Sequence, residues 1–421
     1  MKQLRRAVRP MALAAVLGLL AAACANDEDP QAGPSPTGQV TEMTDDPTVS
    51  AGDPFDLLFV ACQAVGNNGG TAAAIAGALD RALGLDGDVE SAASTTYAQL
   101  STLLQEHVYF AGIAVVQAYH TGPDSPEFTL AAGALDRNSV ELADLIGSVD
   151  ASKRDAFLEL WRQHIGFFVN YALGAAGGDQ AMIDQAKSDL ANYGEQAGAF
   201  FEELSGGAIP SQAVQASLAM HVETLGATIE AAAAGDSNVF NLLKEAAAHT
   251  ADMTAKALAG GLDVALDLDG DVESAAATTL QTLSTLLEEH VLLAGIAVRT
   301  AFVDGVDSAS YDAIVAALDG NSLDLADVIG SVDASKRDAF LELWRQHIGF
   351  FVNYALGAAG GDQAVIDQAK SDLANYGEQA GAFFEELSGG ELTSADVQAA
   401  LQVHVDTLGA AIEALAAALV G

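Results

Sequence analysis

One segment of the chain occurs twice, almost letter for letter. Residues 146–207 and 329–390 differ only at Met182 against Val365, at an offset of 183 residues. Whatever fold the first copy adopts, the second must be able to adopt, so the sequence predicts a tandem repeat, 84–262 followed by 263–421. Proline narrows the choice of fold. Of nine prolines, six lie at or before Pro54 and none beyond Pro210. The remainder is rich in Ala and Leu, which lose least in a helix, whereas Pro is excluded from a helix interior. The expected class is all-α: two tandem up-and-down helical-bundle repeats, roughly six helices in each.

In the first copy these helices are expected at about 89–119 with Asp88 as N-cap, at 127–146, and from after Asp150 (a second acidic cap) to Ala176. The others are expected from Asp179 to Gly206, at 211–234 and at 238–259. The second copy shows only the first five. Residues 55–83 match the sixth-helix position at the same offset, since Gly52-Asp53 aligns with Gly235-Asp236, and are expected to complete one of the bundles.

Within the duplicated segment, Leu-Trp-Arg-Gln-His-Ile-Gly-Phe-Phe-Val-Asn-Tyr spans 160–171 and again 343–354. Phe157, Leu160, Trp161, Phe168 and Tyr171 share a helical face with His164, so the imidazole sits in an apolar stripe. It belongs to a series. His107, His164 and His221 are spaced by 57 residues, as are His290, His347 and His404. His249 adds a fourth to the first set, and its counterpart is Gly66. Around His107 and His221 the neighbours differ between copies while the histidines remain.

Each histidine falls near the middle of its helix, so three or four imidazoles could converge inside one bundle. Such a cluster would bind copper or zinc, or two of its rings could hold a haem. The other reading is a structural or protein-binding cell-envelope module with no ligand, each histidine a core polar residue bonded to a carbonyl, tyrosine or acid. Di-iron chemistry is disfavoured, because Glu-x-x-His is missing: Trp161 and Leu160 precede His164, and Leu104 and Leu103 precede His107. Glu106 and Glu289, adjacent to histidines, are expected to be exposed or locally paired. Asp267-Leu-Asp-Gly-Asp271 has a calcium-like look but not the EF-hand spacing, and reads as an acidic turn. No phosphate loop, Gly-x-Ser-x-Gly or Cys/His pair appears, so the expected role is non-catalytic.

The N-terminus reads as a targeting segment. Residues 1–23 combine four basic residues with an apolar run of signal-peptide length, ending Leu-Ala-Ala-Ala before Cys24. This resembles a bacterial lipoprotein signal with Cys24 as the lipidated residue. Residues 24–54, acidic and Pro-rich, read as a disordered tether. The expected location is extracytoplasmic, anchored by lipid to the cell membrane, with plain secretion as the alternative. The net charge of −41 argues against nucleic acid as a partner.

The 160–171 string, the Gly-Gly-Asp-Gln that follows it, His221-Val-Glu-Thr-Leu and the stretch around His249 resemble a family of secreted helical proteins from Gram-positive bacteria. Its members often carry the label copper amine oxidase. The resemblance implies a helical, secreted protein. It does not extend to oxidase activity: oxidases of that name are β-rich, with a His-x-His copper pair and a cofactor tyrosine in Asn-Tyr-Asp/Glu. This chain has no His-x-His, and Asn170-Tyr171 is followed by Ala172.

Overall fold

The computed structural model describes residues 56–120, 122 and 125–420. The expected signal peptide, the tether and Cys24 lie outside them. The described residues are helical, with no strand among them. Helix α1 is Asp56–Leu83, α2 Ala92–His120, α3 Pro126–Val149, α4 Arg154–Gly177, α5 Gln180–Leu204 and α6 Ser211–Ala234. A π-helical turn, Thr250–Thr254, separates α7 (Val239–His249) from α8 (Ala255–Leu266). The remainder is α9 Ala275–Val303, α10 Ala309–Val332, α11 Arg337–Gly360, α12 Gln363–Leu387 and α13 Ser394–Val420. None of these helices is long and apolar enough to cross a membrane.

Local chemistry sets the boundaries, and two differ from expectation. Asp88 does not cap α2. Its carboxylate accepts from the Glu90 amide, and the helix starts later, with the Ser91 hydroxyl accepting from the Ser94 amide. Ser274 caps α9 in the same way. Asp150 likewise organises the turn before α4 rather than its first residues: it accepts from the Ser152 amide and hydroxyl, and α4 begins at Arg154. Asp179 does cap α5, accepting from the Met182 amide. Lys153 and Arg154 pair with Glu203 and Asp144, each at 2.6 Å.

The two halves dock through α2 and α9, which lie against each other. Their entry turns exchange backbone bonds: the Ala93 amide donates to the Asp269 carbonyl and the Ala276 amide to the Asp86 carbonyl, both at 2.9 Å. The acidic turn at 267–271 is part of this joint. Gly87 and Gly270 stand at φ +98° and +103°, and a Cβ on either would lie 2.5 Å or less from Ser274 or Ser91. Only glycine tolerates both the backbone and the approach.

Helix α1 packs on α9 and α13, much as α7 packs on α2 and α6 and α8 on α2. Ala72, Ile75, Ala76 and Leu79 are buried there in one core with Leu283, Leu287, Phe340 and Trp344. Each half therefore presents a first, third and fifth helix, and a shared core joins the halves, with Tyr109 and Phe110 in one cluster with Leu292 and Leu293.

Candidate metal centre

Three alternate helices of each half carry one histidine to a common point. In the first half these are His107 on α2, His164 on α4 and His221 on α6; in the second, His290 on α9, His347 on α11 and His404 on α13. The nitrogens that could act as ligands lie within 4.8 Å of one another in each triad. Two of the three are closer still. His107 Nε2 and His164 Nε2 are 3.3 Å apart, and His290 Nε2 and His347 Nε2 are also 3.3 Å apart. The sequence could not show whether these rings meet; in the structure they do.

The helical face expected around His164 is what turns the ring inward. Phe157, Trp161, Phe168 and Tyr171 are buried with it. Trp161 meets His164 edge-on at 4.5 Å between ring centroids, and Tyr193 of α5 stacks on its other side at 4.8 Å. Phe168 meets His221 edge-on at 5.3 Å. Trp344, Tyr376 and Phe351 repeat these contacts in the second half. His107 and His164 are 2% and 1% exposed, whereas His404 is only partly buried.

Burial dictates the protonation state. It depresses His164 to about 3 and His221 to about 4, the latter helped by nearby His249. His290 falls to about 3 and His404 to about 4 for the same reason. His107 and His347 are pushed well below the ordinary value by burial and by the charge the other histidines would carry. The backbone of Trp161 favours the His164 proton slightly, but Nδ1 makes no hydrogen bond of good geometry. At neutral pH all six rings are therefore neutral, each with a lone pair free to bind. The Nδ1 atoms of His107, His164, His221, His290 and His347 are buried without a hydrogen-bond partner.

These are the groups that a transition-metal ion needs. A tetrahedral ion with metal–nitrogen bonds of about 2.0–2.1 Å sets its ligands roughly 3.3–3.4 Å apart, the spacing of both Nε2 pairs. The third ring lies within 4.8 Å of the pair and must close by up to about 1.4 Å. The cavities beside the triads measure about 50 Å³ in the first half and 110 and 70 Å³ in the second, room for a few water-sized groups next to the rings.

His249 is outside the first triad. It ends α7 at the π turn, is partly buried, and has Nε2 3.2 Å from the Ser217 carbonyl. A π turn is a common mark of a functional stretch. No carboxylate joins either triad among the described residues.

The sequence reading of Glu106 and Glu289 is overturned: both are buried, and so is Glu288, where α2 meets α9. Asn138 donates to Glu106 at 3.0 Å. Glu289 accepts from Tyr109 at 2.8 Å and from Asn321 at 2.9 Å, and lies 3.4 Å from Lys244. Burial pushes Glu106 up to about 8, helped by Glu141. Glu288 rises well above the carboxylate range from burial and from Glu106 and its other acidic neighbours, and its Oε1 has no partner. These two are neutral acids at neutral pH. The signal was present in Gln105-Glu106-His107 and Glu288-Glu289-His290: on a helix covered on several sides, residues flanking a core histidine are interior too.

No family model matches the chain, and no curated protein or solved structure matches it.

Proposed function

We propose that each histidine triad holds one copper ion in the monovalent state, and that the protein stores or delivers metal rather than turning over a substrate. The observation that carries this reading is the Nε2···Nε2 separation of 3.3 Å, found twice, with a third neutral imidazole beside each pair. The energetics support it. Without metal, a single proton shared between His107 and His164 returns only about 1 kcal/mol. Binding of a structural zinc ion in zinc-finger peptides is worth about 10–16 kcal/mol, so even a weaker site exceeds that return.

The choice of copper follows from charge. The triads offer neutral ligands in an apolar surround, and the cost of burying an ion grows with the square of its charge. A monovalent ion with three imidazoles needs no anionic partner. Zinc on three histidines would keep a fourth position for water or hydroxide, and neither triad includes a carboxylate to offset its second charge. Among the described residues no carboxylate joins either triad, which suits holding an ion. The leader ending at Cys24 and the acidic tether support a place outside the cytoplasm, on a lipid anchor.

Triad variants test this. The apo chain should take up two equivalents of Cu(I), and His164→Ala or His347→Ala one, with helicity by circular dichroism nearly unchanged. The double variant should bind none tightly. A wild-type chain that takes up no Cu(I), or a double variant that retains both ions, would sink the proposal. Zinc binding in preference to copper would reassign the metal.

A further inference from the structure

His249 belongs to neither triad, yet it lies beside one. Its Nε2 is 3.2 Å from the Ser217 carbonyl of α6. That oxygen only accepts, so Nε2 carries the proton and Nδ1 keeps a lone pair. The side chains that flank a helix carbonyl are those three and four residues on, because Cβ atoms lean towards the N-terminus. For Ser217 these are Met220 and His221. His249 therefore stands between a methionine and a member of the first triad. Its effect on the protonation of His221 reflects the same closeness.

The π turn adds a second methionine. Thr254 also touches Ser217, hydroxyl to hydroxyl at 2.6 Å. Met253 adjoins Thr254 and follows His249 by about one turn, so it borders the same seam between α6 and the π turn. Methionine is usually an interior residue, but Met220 and Met253 are 45% and 66% exposed. The seam thus grades from two exposed thioethers, through the partly buried His249, to the buried His221. The second half has no such set. At the offset of 183 residues, Met220, His249 and Met253 correspond to Val403, Gly66 and Gly70, and no methionine follows Met253.

We infer that Met220, Met253 and His249 Nδ1 form a surface site that captures a cuprous ion and passes it to His221 and the first triad. The inference rests on the copper reading above. Thioether sulfur is a soft, uncharged ligand that selects Cu(I) over harder divalent ions, and imidazole suits copper as well. The three rotatable bonds of methionine let its sulfur follow the ion inwards. Transfer is an exchange of ligands: His221 binds as a thioether lets go, the ion keeps its charge, and no electron or proton changes hands.

The test uses the full chain with one triad removed. In the His347→Ala chain, which keeps the first triad, Met220→Leu together with Met253→Leu should slow uptake of Cu(I) from a chromogenic Cu(I) chelator about 10-fold or more, the lower end of what disturbing a metal site costs. The amount finally bound and the helicity should not change, because Leu replaces Met at nearly constant volume. The same two substitutions in the His164→Ala chain, which keeps the second triad, should leave uptake unaltered. X-ray absorption of the chain lacking both triads, with Cu(I) added at high protein concentration, should show sulfur neighbours that the two leucines remove. Unslowed uptake in the His347→Ala chain, equal slowing in both chains, or a copper shell without sulfur would each overturn the inference while leaving the triads as metal sites. Absence of copper uptake by the wild-type chain would overturn the metal-binding reading itself, and the inference with it.

Discussion

A chain beginning at Leu85 should lose the ordered packing of its second half. Among the described residues, helix α1 covers α9 and α13 on that side: it buries Ile75 and Leu79 against Leu283, Leu287 and Trp344. Burying one Ile or Leu side chain is worth about 1.5–3 kcal/mol, so these two alone contribute roughly 3–6 kcal/mol. At about 2–4 °C per kcal/mol for a domain of this size, the melting midpoint of the second half should fall by roughly 6–24 °C. The first half keeps its own sixth-helix segment, α7 to α8, so calorimetry should separate two transitions where the full chain shows them closer together. Unchanged melting of the shortened chain would contradict the packing described for α1.

Acid should unfold the metal-free protein before its surface carboxylates titrate. A buried imidazole held neutral has a folded pKa below its unfolded value of about 6.5. Its contribution to stability is complete above that value and is lost as the pH falls toward the folded value, near 3 for His164 and His290 and near 4 for His221. Each such group gives a slope of about 1.4 kcal/mol per pH unit, and the five fully buried histidines together roughly 7. Glu106 and Glu288 act in the opposite sense. Their folded pKa values are raised, so acid favours the folded state through them, by roughly 3 kcal/mol per unit down to about pH 4.5. The histidines win. Helicity of the apo chain should disappear in a cooperative step between about pH 6 and 4, and bound Cu(I) should move that step to lower pH. Full helicity retained at pH 4 without metal would mean that the rings are not held neutral.

The helices were legible because their causes are local. Ala and Leu content, the position of proline and the apolar stripe through Trp161 and His164 need no tertiary information. The histidine series was legible as a series, but a spacing of 57 residues says nothing about how neighbouring helices are rotated, so convergence was not. The burial of Glu106 and Glu289 was missed because one inward face was assigned to α2 and α9. Packed against each other at the joint, these helices have no fully solvated side at that height. The π turn at Thr250–Thr254 was hidden because its counterpart, α1, runs without interruption. Asp88 and Asp150 were assigned to the right turns, but the helices start two to four residues later, once the serine or the backbone takes over.

X-ray absorption at the copper edge of the Cu(I)-loaded full-length chain addresses the metal centre most directly. The geometry of the two triads predicts a shell of three imidazole nitrogens at about 2.0 Å, with no sulfur or carboxylate oxygen, at two ions per chain. A chain that takes up no copper, or a shell with fewer than two imidazoles per ion, would contradict it.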